Sequence, residues 1–367
     1  MRKPFLGCVK RFTWNFAAVL ALAILALLSP GSHSSAQAQG VTPPGLERAQ
    51  AAKAVHAAEL LTVDGVVGVG VGLGAGGEAV IIVTTARPGV TGIPRSLDGV
   101  PVRVLVTGPI FANPKPNCEE DPSHPSCKDG GGGGGGDTVD PTAKFARPVP
   151  IGVSTGSEAS CSAGTIGARV RSGSSVFALS NNHVYAEENG AELGSNVLQP
   201  GRFDSNCVAD NEPIGTLHDF VEIVFSTSAS NTVDAAIALS DTDRLGNGTP
   251  ANGYGVPDST TVGPILDLLV QKYGRTTGLT RGSIVITDWD GNIGYSNGTA
   301  HFVDQIVVYG AKGPFVKAGD SGSLVVTDNS SVNPVGLLFA GDASGKYGIV
   351  NPIDAVLAAF GVAIDGQ

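Results

Sequence analysis

Gly319-Asp320-Ser321-Gly322-Ser323 runs straight into the apolar stretch Leu324-Val325-Val326. A serine hydroxyl is a weak nucleophile until a neighbouring base takes its proton. The flanking glycines let the backbone turn tightly, so that nearby N–H groups can converge on one developing negative charge. The stretch therefore calls for a histidine and a carboxylate elsewhere in the chain, and both occur upstream. Ser180-Asn181-Asn182-His183-Val184 follows the apolar strand candidate 175–179, which puts an imidazole at a strand end among small polar residues. Thr232-Val233-Asp234-Ala235-Ala236-Ile237-Ala238 carries an aspartate into an apolar strand. A buried carboxylate is costly to desolvate unless a partner, such as a histidine N–H, holds its charge.

The surrounding pattern is that of a β protein. From Ile151 onward, short apolar runs recur between turn residues: 167–170, 176–180, 235–239, 282–287, 305–308, 323–327 and 335–339. Regular short strands with glycine-rich turns point to a sandwich or barrel. The 52 glycines and the 15% of charged residues agree with a strand-and-turn chain that has a sizeable core. Asp290-Gly291 reads as a hairpin turn between two of the strands. Ile353 to Phe360 reads as a closing helix with Ile353, Val356, Leu357 and Phe360 on one face.

Ahead of this region, Leu46 to Leu61 is a helix candidate, and Val66 to Leu73, Ala79 to Thr84 and Val100 to Thr107 are strand candidates. They define a small α+β unit over residues 41–112. Gly68-Val69-Gly70-Val71-Gly72 is a glycine-rich strand rather than a dinucleotide loop, because no helix follows it. Residues 113–150 read as a linker, with Pro114, Pro116 and the run Gly130 to Gly136. The domain expected downstream spans 151–367.

Residues 1–38 have the form of a secretory signal: Arg2, Lys3, Lys10 and Arg11, an apolar stretch Phe16 to Leu28, then Ala36-Gln37-Ala38. The apolar stretch is shorter than the ~20 residues that span a bilayer. Cleavage would remove four basic residues and no acidic one, taking the net charge from −10 to −14. An acidic chain without a basic cluster is a poor nucleic-acid binder. Cys118, Cys127, Cys161 and Cys207 would remain, an even number in an exported protein. Of their three pairings, Cys118–Cys127 closes a short loop and Cys161–Cys207 lies within one domain. No Cys-x-x-Cys spacing marks a metal site, and no motif asks for a cofactor.

The order His183, Asp234, Ser321 is one known solution to assembling a nucleophile, a base and an orienting acid. The α/β-hydrolase order needs a histidine after the serine, whereas the last histidine here is His301. A Ser–Lys pair using Lys317 is the remaining alternative.

Four segments resemble the trypsin-like (chymotrypsin-fold) serine peptidases, especially their bacterial secreted branch. Phe177–Val184 is similar to the family's histidine segment, Asp234–Ile237 to its aspartate segment and Gly319–Ser323 to its serine segment. Gly274-Arg275-Thr276-Thr277-Gly278 is similar to a stretch of bacterial members. The resemblance implies two antiparallel six-stranded β-barrels over 151–367. It implies Ser321 as nucleophile, His183 as base, Asp234 as orienter, and the N–H groups of Gly319 and Ser321 as the oxyanion hole. It places Phe315 near the base of a specificity pocket, Phe339, Ala340 and Gly341 on the edge that pairs with substrate, and Gly348 on a wall. With no acid at 315, a small or medium apolar side chain is the expected preference over Arg or Lys. Asp320 would be a buried anion paired with Lys272 or Arg275, in place of the new N-terminus that serves the digestive enzymes. The implied partners are polypeptide substrates, not nucleic acid or membrane, and the implied location is secreted or periplasmic. A peptidase-fold binding or scaffold protein that no longer cuts is the competing reading.

Overall fold

Runs of β-branched residues between glycine turns make strands the dominant regular element among the described residues. The computed structural model describes residues 42–112, 139–208 and 212–367. The expected signal segment, the Cys118–Cys127 pairing and the run Gly130 to Gly136 lie outside the described residues.

The first sheet comprises β6 (Ser154–Ser157), β7 (Gly164–Thr165), β8 (Ala168–Ser172), β9 (Ser175–Ser180), β10 (Asn196–Leu198), β11 (Pro213–Phe220) and β12 (Ala236–Ser240), with β19 (Ala363–Ile364) on the β8 edge. β9 pairs with β8 and β12, then β12 with β11, β11 with β10, β10 with β6 and β6 with β7. Only Ile166 and Gly167 separate β7 from β8, so the sheet curls back to its start. Inside it pack Ile151, Ile166, Ala178, Val184, Tyr185, Val197 and Ile214, each at most 1% exposed. The disulfide Cys161–Cys207 ties two loops of this half together.

The second sheet is a closed barrel. β13 (Leu269–Gly274), β16 (Leu324–Thr327), β17 (Pro334–Asp342), β18 (Tyr347–Pro352), β15 (Gly298–Tyr309) and β14 (Gly278–Tyr295) pair in that spatial order, and β14 pairs back to β13. Val270, Ile284, Val308, Phe315, Val325, Leu338 and Val350 fill its interior. The closing helix falls at Ile353–Phe360 beside β17 and β18, and its Ile353 and Val356 join a core cluster with Leu324 and Leu337 of the barrel and Phe177, Leu179 and Ile364 of the first sheet.

β14 is long enough to serve two structures. Its first half belongs to the barrel; its second half pairs with β1 (Val66–Leu73) of the N-terminal unit, with Gly68 opposite Gly291 and Val71 opposite Thr287. β1 pairs in turn with β2 (Ala79–Thr85), and β2 runs parallel to β4 (Val100–Val106), which pairs with β3 (Ser96–Leu97). The helix Leu46–Leu60, α1, covers this sheet with Ala49, Ala52 and Leu60 against Val69, Ile81 and Val83. The glycines of β1 have a steric purpose. A Cβ on Gly68 or on Gly291 would run into the buried indole of Trp289, whose Nε1 donates to Thr84 Oγ1 at 3.1 Å.

Asp290-Gly291 is therefore not the hairpin turn its dipeptide predicts. It lies inside β14, where Gly291 makes room for Trp289 and Asp290 pairs with the buried Lys53 at 2.6 Å. The chain reverses at Ser296-Asn297, and the strand resumes at Gly298 with φ +135°. Of the expected linker, residues 139–150 are described and lie along the first sheet, with Val149 beside Leu245. Among the described residues, no helix is long and apolar enough to cross a membrane.

Candidate active site

His183 sits on α2 (Asn182–Tyr185), a single helical turn that caps the end of β9. Asp234 stands just before β12, the neighbour of β9, with Ser180 opposite Ala236. Strand pairing thus brings residues 51 apart in sequence into contact. His183 Nδ1 lies 2.5 Å from Asp234 Oδ2, and the backbone N–H of His183 donates to Asp234 Oδ1 at 3.2 Å. Both side chains are fully buried. The other ring nitrogen, Nε2, is buried with no hydrogen-bond partner among the described residues.

Several further groups fix Asp234. Asn181 Nδ2 donates to its carbonyl at 2.7 Å, and its own N–H donates to Asn351 Oδ1 at 3.1 Å. Asn351 Nδ2 donates to Gln305 Oε1 at 2.6 Å, and Gln305 Nε2 to Thr232 O at 2.9 Å. This buried relay joins the strand entry of the first sheet to β15 and β18 of the barrel. Tyr295 donates its hydroxyl to Asp234 Oδ2 at 2.9 Å.

Ser321 occupies the loop before β16 and is 4% exposed. Its carbonyl accepts the N–H of Thr165 at 2.8 Å, and Thr165 Oγ1 donates to Gly319 O at 2.9 Å. A Cβ on Gly164 would strike Val184 on one side and lie 3.1 Å from Ser321 O on the other. Gly322, at φ +91°, passes so close to Ser180 that only glycine fits. The serine loop is thus packed against the strand end that carries His183. Gly319 has φ +95°, a backbone conformation that glycine adopts without strain.

Asp320 is fully buried and saturated with donors. Its Oδ1 accepts the N–H groups of Thr276 (2.9 Å) and Thr277 (3.1 Å). Its Oδ2 accepts Thr277 Oγ1 (2.7 Å) and the N–H of Lys317 (2.9 Å), and pairs with Lys272 Nζ at 3.2 Å. Burial lowers the Lys272 ammonium from its ordinary range, and the Asp320 charge opposes that shift. Of the two cations expected to face Asp320, Lys272 does so; Arg275 turns away to Asp204 and stacks on Phe203.

Phe315 is fully buried, with Gly282 and Gly348 so close to its ring that a Cβ on either would crowd it. Phe339 is also fully buried and packs on Phe302, ring centroids 4.8 Å apart. Beside Ser321 remains a hollow of about 20 Å³, lined by Val316, Lys317, Ala318, Ala340, Gly341, Asp342 and Phe111. Phe111 belongs to β5 (Ile110–Phe111), which pairs antiparallel with β17: Phe111 opposite Gly341, Ile110 opposite Asp342. The chain's own segment therefore lies along the edge at Gly341.

Sequence reading named His183, Asp234 and Ser321 as candidates and did not name Tyr295, Gln305 or Asn351, which hold Asp234 directly or through one another. Nothing local distinguishes those three, because their meaning comes from strands that meet only in the folded barrel.

Residues 242–351 match the family described as the Nal1 C-terminal domain. No curated protein matches the chain. Among solved structures, the chain is similar to Thermobifida fusca Protease A, at 19% identity over 59% of this chain and 98% of that one, TM-score 0.43. It is similar to a Cellulomonas bogoriensis chymotrypsin, at 18% identity over 60% of this chain and 99% of that one, TM-score 0.41. It is also similar to the MamO protease domain of Magnetospirillum magneticum, at 11% identity over 54% of this chain and 87% of that one, TM-score 0.31.

Proposed function

We propose that the chain is a secreted serine endopeptidase that hydrolyses peptide bonds through an acyl-enzyme on Ser321. The reading rests on one observation above all: a buried imidazole held at Nδ1 by a buried carboxylate, with Nε2 unclaimed by any described residue. A histidine oriented in this way is poised to accept a proton at Nε2. His183 takes the proton of Ser321 Oγ as that oxygen attacks the scissile carbonyl. The same proton then goes to the leaving amine. Water, deprotonated by His183, releases the acyl group and restores Ser321. Asp234 keeps the imidazole oriented and stabilises its charged form. The N–H groups of Gly319 and Ser321 receive the oxyanion, and losing one such donor typically costs ~3–4 kcal/mol of barrier lowering. This chemistry needs no cofactor.

The buried Phe315 ring and the 20 Å³ hollow favour substrates with a small residue before the cleaved bond. Because β5 lies on the Gly341 edge, a polypeptide substrate would have to displace it to pair there. That occupied edge also favours a second reading, a binding protein that no longer cuts. A fluorophosphonate probe on the full chain separates the two. Labelling of the wild type, abolished in Ser321→Ala, is the expected result. A folded wild-type chain that takes up no probe would overturn the peptidase reading.

A further inference from the structure

Phe339 is buried against Phe302 and has no hydroxyl to offer the carboxylate of Asp234. The hydroxyl that reaches Asp234 comes from elsewhere. Tyr295 stands at the end of β14, where the long β14–β15 hairpin turns, and donates to the same Oδ2 that faces His183 Nδ1. Its ring is edge-on to His183 (6.0 Å between centroids) and to Phe225 (5.6 Å), and stacked on Phe302 (6.1 Å). Burial, then the charge of Asp234, raises this hydroxyl well above the ordinary tyrosine range, so it remains a donor.

The hairpin end is itself held from two sides. The carboxylate of Glu188, five residues beyond His183, accepts the N–H groups of Ser296 (3.1 Å) and Asn297 (2.9 Å). From the N-terminal unit, β1 pairs along the outer half of β14, Phe111 stands opposite Gly294, and the N–H of Ala112 donates to Gly294 O at 3.0 Å. The residue next to Tyr295 is therefore bonded to the segment that also covers the Gly341 edge.

We infer that Tyr295 is a positioning residue of the triad, fixing Asp234 so that the carboxylate meets His183 in one orientation, and that the N-terminal unit sets this contact through β14. The inference rests on the peptidase reading for its kinetic consequence and on geometry alone for its structural one. A hydroxyl bonded to a carboxylate that already serves an imidazole removes one degree of freedom from the pair, and removing a hydrogen bond to a charged group changes a rate by about 10- to 100-fold.

Tyr295→Phe in the full chain tests this, because the ring and its packing are retained. Two readouts are taken: the low-field proton NMR resonance of His183 Nδ1–H, assigned by its loss in His183→Ala, and steady-state kinetics on a small-residue peptide substrate. The expected result is a resonance displaced or broadened away, with kcat lowered about 10- to 100-fold and KM within about twofold. Phe225→Leu, which removes a ring contact but no hydroxyl, is expected to leave the resonance in place. An unchanged resonance in Tyr295→Phe, or an equal loss in Phe225→Leu, overturns the inference. A wild-type chain that shows the resonance but cleaves nothing defeats the peptidase reading instead, and the resonance alone then decides the role of Tyr295.

Discussion

Asp234 and Asp320 are both fully buried carboxylates, and they are held by different kinds of partner. Around Asp320 stand a lysine ammonium, three backbone N–H groups and a threonine hydroxyl. Around Asp234 stand an imidazole and a tyrosine hydroxyl, with backbone and amide groups behind them. The first environment fixes a loop. The second orients a ring. Burial alone thus says little about what a carboxylate does; the chemistry of its donors decides.

The contrast can be broken most severely at Asp234. Asp234→Asn would present an amide to Nδ1 and favour the wrong tautomer of His183. In triad enzymes that change lowers kcat by about 10⁴-fold, and a comparable loss is expected here with little change in folding. Turnover on a peptide substrate, beside a thermal melt, reads both.

At Asp320 the expected damage is to stability. Lys272→Met leaves a buried carboxylate without its cation, and breaking such a pair typically costs about 3–5 kcal/mol. Urea denaturation of wild type and variant measures it; a difference below about 1 kcal/mol, the worth of an exposed pair, would mean that the N–H groups hold the loop unaided.

Asp365 supplies a milder third case. It is mostly buried between Arg169 and Arg171, at 2.6 and 2.7 Å. Burial works to raise its carboxyl, but Arg171 and Arg169 together outweigh this and hold it below the ordinary range. A depressed folded-state value means that its stabilisation is present above the unfolded value and is lost as pH falls through the folded one. Asp365→Asn should therefore cost about 1 kcal/mol near neutrality. The gap from wild type should close below about pH 4, as denaturation at two pH values would reveal.

How far the sequence could be read depended on the range of the forces involved. Strand periodicity and glycine punctuation are local, so 175–180, 324–327 and the helix at 353–360 fell where the pattern put them. The triad candidates were legible because the backbone around each is chemically constrained: Gly319 and Gly322 by positive φ, Asp234 by entry into an apolar strand. Asp290-Gly291 misled because the same dipeptide that makes a turn also serves a strand in which an indole crosses the glycine. The union of β1 with β14 was not legible either. Both sides of a ladder formed between distant segments look like ordinary strands, and no residue in either announces its partner. Tyr295 was hidden for the same reason.

The cation opposite Asp320 comes from β13, a strand of the barrel that carries Ser321. The charge that anchors the 317–321 loop is thus neutralised from within one barrel, while Thr165 of the first sheet holds the loop from the other side. The cation that faces Asp320 is a lysine side chain, not an amino terminus. On the peptidase reading, a site held by contacts already present in the folded chain would be restrained by a cover, and Ile110 and Phe111 lie along the Gly341 edge where such a cover would act.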